Sequence, residues 1–195
     1  MMEFIVFGLP LILLVGVYVW YAVIISRRNA VLDALSGIDV QLKKRHDLIP
    51  NVLSIAKRFM QHEQQLLEEI TKIRSAAVSA LEKYERSQSA EDANAHFALE
   101  NELQRAMGRF MVQVEAYPEL TSAQPMINAQ NTYLEVETNI AAARRFYNTS
   151  VRRLRNSCEI FPGTVLARLV RVERYPFYQA DPAETRPVDA SALLS

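Results

Sequence analysis

Cysteine, glycine and histidine are all scarce in this 195-residue sequence, and each shortage excludes something. Cys158 is the single cysteine, so no internal disulfide can form. It falls on an apolar stripe with no evident base nearby, and it reads as a small buried hydrophobe. Five glycines are too few for a chain of tight turns and β-hairpins. Of the three histidines, His46, His62 and His96, no two are spaced as a metal pair on a helix. No Glu-x-x-His occurs either, although a di-iron bundle needs it to project both ligands inward. The histidines are therefore read as solvated or edge side chains. Also missing are a G-x-S-x-G elbow, a Gly-rich phosphate loop and an H-E-x-x-H pair. The sequence thus predicts no metal, no cofactor, no catalytic residue and no enzyme. Charge of one sign is missing too. Lys plus Arg number 22 against 22 Asp plus Glu, which leaves no basic footprint for nucleic acid.

What the sequence does have is one long apolar run. Phe4 to Ile25 holds 22 residues without a charge or an amide. At ~1.5 Å per residue a helix of that length spans about 33 Å, against a hydrocarbon core of roughly 30 Å. Tyr18, Trp20 and Tyr21 lie near one end, where amphipathic rings favour the headgroup level. Pro10 is tolerable in such a span. A cleaved signal peptide fits poorly, because the leading end is acidic and no A-x-A follows. Residues 1–25 are read as a short tail and a retained anchor. Arg27 and Arg28 follow the run at once, with Lys43, Lys44 and Arg45 further on. The excess of basic residues predicts a cytoplasmic domain and an N-terminus outside.

Beyond the anchor, apolar residues step by three and four. Val31, Leu35, Ile38 and Leu42 begin a stripe that Ile49, Val52, Ile55, Phe59, Leu66, Ile70, Ile73 and Tyr84 continue. This is the period of a helix with one buried face. Pro50 interrupts it. Either the helix kinks there and continues, or Asp47 caps a new helix with Pro50 in its first turn. The stripe keeps its phase across Pro50, which favours a kinked, nearly continuous helix running to about Ser87. Ser89 then reads as the cap of the next helix, striped by Leu99, Leu103, Ala106, Phe110, Val114 and Tyr117. Pro118 stops that helix. Thr121 or Ser122 caps a third, with Pro125 near its first position and a stripe from Tyr133 to Cys158. Pro162-Gly163 ends it. Tyr175, Phe177 and Tyr178 are expected to dock on the domain or a partner. Residues 179–195 read as a disordered tail. The predicted fold is all-α: a single N-terminal transmembrane helix, then an antiparallel bundle of long helices over residues 26–178.

Two polar positions stand out. Glu137 and Arg144 lie on or beside the buried face of the third long helix, where a charge must be paired. Candidate partners are Arg45, Asp47, Glu63 and Arg74; a solvated position and a partner contact remain open. The basic run from Gln41 to Arg45 is read as an ordinary solvated face. Off the main stripes, Ala34, Leu48, Met60, Leu67, Leu81, Met107, Met111 and Phe146 form either a second, exposed stripe suited to self-association or a wider single core face.

Three motifs carry a resemblance. They are Ile38 to Asn51 (IDVQLKKRHDLIPN), Val114 to Leu120 (VEAYPEL), and Leu134 to Val151, which includes Glu137, Ala143-Arg144 and Tyr147-Asn148. In this order the chain resembles the LemA family over about residues 18–178. It departs at His46, where a tyrosine is common, and at Arg28-Asn29, where Tyr-Asn is usual. The resemblance implies an N-terminal span, a helical bundle on the cytoplasmic side and no established catalytic residue. It implies a bacterial inner-membrane protein of the cell envelope, with relatives in magnetosome formation and beside membrane metalloproteases. Asp47, Pro50, Glu115, Tyr117, Pro118, Glu137, Arg144, Tyr147 and Asn148 are carried forward as structural or partner-contact candidates. The expected function is a non-enzymatic, membrane-anchored scaffold that forms a homo-oligomer; the alternative is an adaptor for a membrane metalloprotease.

Overall fold

A helix of 55 residues, α1 (Met2–Ala56), carries both the apolar run and the first buried stripe without a break between them. The computed structural model describes residues 2–170 and 172–179, with side chains from Pro10 onward. A 3-10 turn at Gln61–Glu63 follows, then α2 (Gln64–Ser87), α3 (Ala90–Val114), α4 (Pro118–Thr121), α5 (Gln124–Glu159) and α6 (Gly163–Val170). Every regular element among the described residues is helical, and the architecture is all-α with bundle-like packing. The expected tail lies outside the described residues apart from Gln179.

The chain forms two compact units: Met1–Asp47 with Asn131–Phe177, and Leu48–Gln130 with Tyr178–Ser195. In the first, α1 and α5 run antiparallel, since Trp20 meets Ser157 while Arg45 meets Glu137. Val31, Leu35, Ile38 and Leu42 on α1 are buried, as are Tyr133, Val136, Ile140, Tyr147, Val151 and Leu154 on α5. They belong to the two predicted stripes, whose members Ile55, Phe59, Leu66, Ala143 and Cys158 are only half-buried. Of the described residues, one helix is long and apolar enough to cross a membrane, and it is α1. Its large apolar side chains from Leu11 to Val23 are exposed, apart from Trp20. Ile24, by contrast, is fully buried. The last turns of the run therefore pack on protein.

The second unit corrects one expectation. α1 does continue through Pro50, whose ring is exposed, but the run does not reach Ser87. It ends at Ala56, whose carbonyl accepts from both Phe59 and Met60 at 2.9 Å. Neither glycine nor proline marks this break, and Met60 is buried in the turn. Val52, Ala56, Met60 and Leu67 step by four and seven, so the stripe keeps helical phase across a turn that is not helical. At the next corner Gln88, at φ 50°, closes α2 by donating its N–H to the Tyr84 carbonyl. Ser89 caps α3 as expected, its hydroxyl accepting from the Asp92 N–H at 3.1 Å. Thr121 and Ser122 do not cap α5 in this way; both hydroxyls donate back to the Pro118 carbonyl.

The α2–α3 corner should be acid-sensitive. Asp92 accepts hydrogen bonds from Lys83, Ser87 and Ser89. The Lys83 bond, then the Ser87 bond, hold its carboxyl down at about 2, below the ordinary 3.8. A lowered folded value means stability that is fully present above the ordinary value and lost as pH falls toward 2. Urea midpoints of the wild type and Asp92→Asn should differ at neutral pH and converge by about pH 2. A gap that stays constant with pH would refute the assignment.

Candidate functional site

A polar cluster sits in the otherwise apolar interface between α1 and α5 in the first unit. Arg45 follows Leu42 by three and precedes Ile49 by four, so the helical period turns it inward with the stripe. It is 0% exposed, and its Nη1 donates to Glu137 Oε1 at 3.0 Å. Glu137 is 17% exposed, so its side chain is not wholly sealed from water. One turn back on α5, the Tyr133 phenol hydrogen-bonds the same carboxylate. Burial, then the Glu137 charge, push that phenol well above its ordinary value of 10.0, with Arg45 and Arg144 opposing. It stays protonated as a donor and does not serve as a base. Arg144 is buried and close enough to Tyr133 to act on its charge state. Glu137 is therefore an acceptor shared by a guanidinium and a phenol, which clamps two helices together.

This settles one expectation and overturns two. Glu137 is paired across the helices with Arg45. Arg45, expected on a solvated face, is among the most buried side chains. The histidines also differ from expectation. His46 and His96 are buried, and only His62 is exposed. In the second unit His96 Nδ1 lies 3.8 Å from Glu100 Oε1, with both side chains fully buried. Sequence reasoning missed Tyr133, His96 and Glu100 as polar members of the core. The signal was present: His96, Glu100, Leu103 and Met107 step by four, three and four on the buried face of α3.

The remaining candidates fall in separate places. Tyr147 is buried and donates its hydroxyl to the Pro176 carbonyl at 2.8 Å. Beside it Arg155 donates to the Tyr175 carbonyl and lies 4.4 Å over the Phe177 ring. In this way the aromatic segment docks on α5, and Asn148 is half-buried nearby in sequence. Asp47 is exposed. In the second unit Pro50 lines a groove of about 480 Å³ with Leu53, Lys57, Leu67 and Arg74. Pro118 begins α4, Glu115 is exposed, and the Tyr117 hydroxyl donates to Glu63 Oε1 at 3.3 Å. Burial and then the Glu63 charge raise the Tyr117 phenol. Gln113 donates to the same oxygen at 2.8 Å. Tyr178 stacks on Phe97 at 4.1 Å.

Cys158 is half-buried, not buried, and lines a cleft of about 570 Å³ with Arg155, Glu159 and Arg168. Burial, then Glu159, push its thiol up, which disfavours the reactive thiolate. The eight side chains weighed as a second stripe go mostly inward. Ala34, Met60, Leu67 and Met107 are buried, Leu48, Leu81 and Met111 are half-buried, and Phe146 is exposed. A wide core face, and not a second exposed stripe, is what the structure contains.

A family model described as the LemA family matches residues 34–191. Two relatives are the magnetosome proteins MamQ 1 and MamQ 2 of Paramagnetospirillum magneticum (strain ATCC 700264 / AMB-1). Each is 28% identical to this chain over 89 residues, which is 46% of the chain and 33% of the relative. The chain thus matches about a third of the length of those relatives.

Proposed function

The chain belongs to the LemA family, and from that premise we propose that it is a membrane-anchored, non-enzymatic helical scaffold of the bacterial cell envelope that self-associates. The observation that carries the reading is the continuity of α1. The exposed apolar run and the buried stripe lie on one helix, and Trp20 and Ile24 at their junction are held by protein. A platform joined to its span without a linker holds a fixed attitude to the bilayer, which suits assembly along a membrane. The relatives named for the magnetosome favour a membrane setting. In this reading Arg27, Arg28, Lys43 and Lys44 keep the domain in the cytoplasm, with the N-terminus outside the inner membrane. Self-association would use exposed apolar side chains such as Val40, Leu134 and Phe146.

Crosslinking in cells, combined with a tag behind residue 195, tests these parts separately. A ladder of self-crosslinked species and a tag protected from external protease are the expected results. A single band matching a membrane metalloprotease would replace the scaffold with an adaptor. A strictly monomeric species in crosslinking and light scattering would end self-association, and digestion of the tag in intact cells would reverse the orientation.

A further inference from the structure

The corner after α5 exposes more apolar surface than an ordinary soluble turn. Phe161 is 79% exposed and Leu169 75%, with Ile160 and Val165 also exposed. Val165 and Leu169, four residues apart, share one face of α6, and Ile160 and Phe161 stand exposed in the turn just before it. The opposite side is turned inward: Gly163 is buried, and Leu166, Ala167 and Val170 are half-buried. Single exposed apolar residues need no explanation, but a contiguous line of them backed by a packed face does.

Position says what covers the line. The Trp20 indole N–H donates to the Ser157 carbonyl at 3.1 Å. Gly163 is so close that a Cβ there would stand 2.6 Å from Trp20 Nε1. The start of α6 therefore lies beside Trp20. That residue is five positions short of Ile25, or ~8 Å inside the end of the apolar run. Around it on α1, Val17, Tyr18, Tyr21 and Val23 are exposed apolar surface at the same level. Charge agrees: residues 152–174 carry Arg152, Arg153, Arg155, Arg168, Arg171 and Arg174 against Glu159 and Glu173. We infer that α6 and the Ile160–Phe161 corner form a second membrane contact, an interfacial helix lying in the headgroup and acyl boundary. Phe161, Val165 and Leu169 enter the lipid, and the exposed Arg168 and Arg174 meet anionic headgroups. The inference rests on the reading of α1 as a membrane span, and it adds a lipid contact made by the far end of the chain.

The test uses the full chain with Cys158→Ser, reconstituted in nanodiscs of phosphatidylethanolamine and phosphatidylglycerol. Spin labels go on single cysteines at Val165 or Leu169, with Val15→Cys as lipid reference and Glu102→Cys as water reference. Oxygen collides with labels in lipid, and a nickel chelate with labels in water. Oxygen-to-nickel accessibility at Val165 and Leu169 should exceed that at Glu102 severalfold and approach that at Val15. If both read like Glu102 while Val15 reads as lipid, the inference falls and the span stands. If collisions with both reagents are suppressed, a protein covers the line and lipid does not, which also overturns it. A water-like Val15 would remove the span and this inference together.

Discussion

Glu137→Leu is expected to destabilise the domain by ~3 to 5 kcal/mol, because it removes the carboxylate that a fully buried guanidinium is hydrogen-bonded to. Arg45 is 0% exposed, so it cannot recover its lost partner from water. The converse change should cost less. Arg45→Met leaves a Glu137 that is 17% exposed and keeps the Tyr133 phenol, and ~1 to 3 kcal/mol is the expected loss. Combining Arg45→Met with Glu137→Leu should recover most of the larger loss, because two apolar side chains replace a pair that was costly to desolvate. Urea unfolding of the full chain in micelles, followed by helical circular dichroism, measures all three. A Glu137→Leu midpoint equal to the wild type would mean that the pair is a surface contact and holds nothing together.

Gly163→Ala is expected to be the most damaging of the glycine-to-alanine changes. Its Cβ would collide with the Ser157 carbonyl oxygen and stand 2.6 Å from Trp20 Nε1. The first neighbour is backbone in α5 and cannot rotate away, so the overpacking cost of ~1 to 3 kcal/mol is a lower bound. If α6 holds its place, the new Cβ crowds both partners of the Trp20 to Ser157 hydrogen bond, whose loss would add about 1 kcal/mol. Trp20 is the only tryptophan, so its emission reports the corner directly and should shift to the red. Gly108→Ala is the control. That glycine is inside α3 with nothing within 4 Å of the new Cβ, and the same change there should stabilise by about 0.5 to 1 kcal/mol. Equal effects at the two glycines would show that helix propensity, and not crowding, governs Gly163.

The stripes were legible because burial in a helix is periodic. Val31, Leu35, Ile38 and Leu42 are buried where period 3.6 put them, as are Tyr133, Val136, Ile140, Tyr147, Val151 and Leu154, with Ala143 half-buried among them. The caps were partly legible. Ser89 had both the right residue and the right spacing, whereas Thr121 and Ser122 had the right residues but bonded to Pro118. The turn after Ala56 was not legible, because it has no breaker residue and its buried side chains repeat at helical intervals. The core cluster was half legible. Glu137 was found as a charge on an apolar face, and Arg45 occupied an equally inward position on its own stripe. Its two lysine neighbours made it look like part of a solvated basic strip, but Lys43 and Lys44 are exposed and Arg45 is not. The Trp20 to Gly163 contact joins residues 143 positions apart, and no local pattern encodes it.

One helix passing from apolar run to core without a joint makes the first unit a lever. Its fulcrum is at Trp20 and Ile24, where protein grips the end of the run. Its working end is Arg45, 25 residues on, or about 38 Å along a straight helix. In the membrane-spanning reading proposed above, bilayer thickness would set the angle of the input arm, since spans longer or shorter than the local hydrocarbon tilt to fit it. A change of about 10° in that angle would carry Arg45 sideways by ~7 Å on a stiff helix, more than twice the length of its hydrogen bond to Glu137. The gripped fulcrum and the buried clamp are thus what a thickness change has to work against. Membranes of different thickness would load the same clamp differently, with no ligand involved.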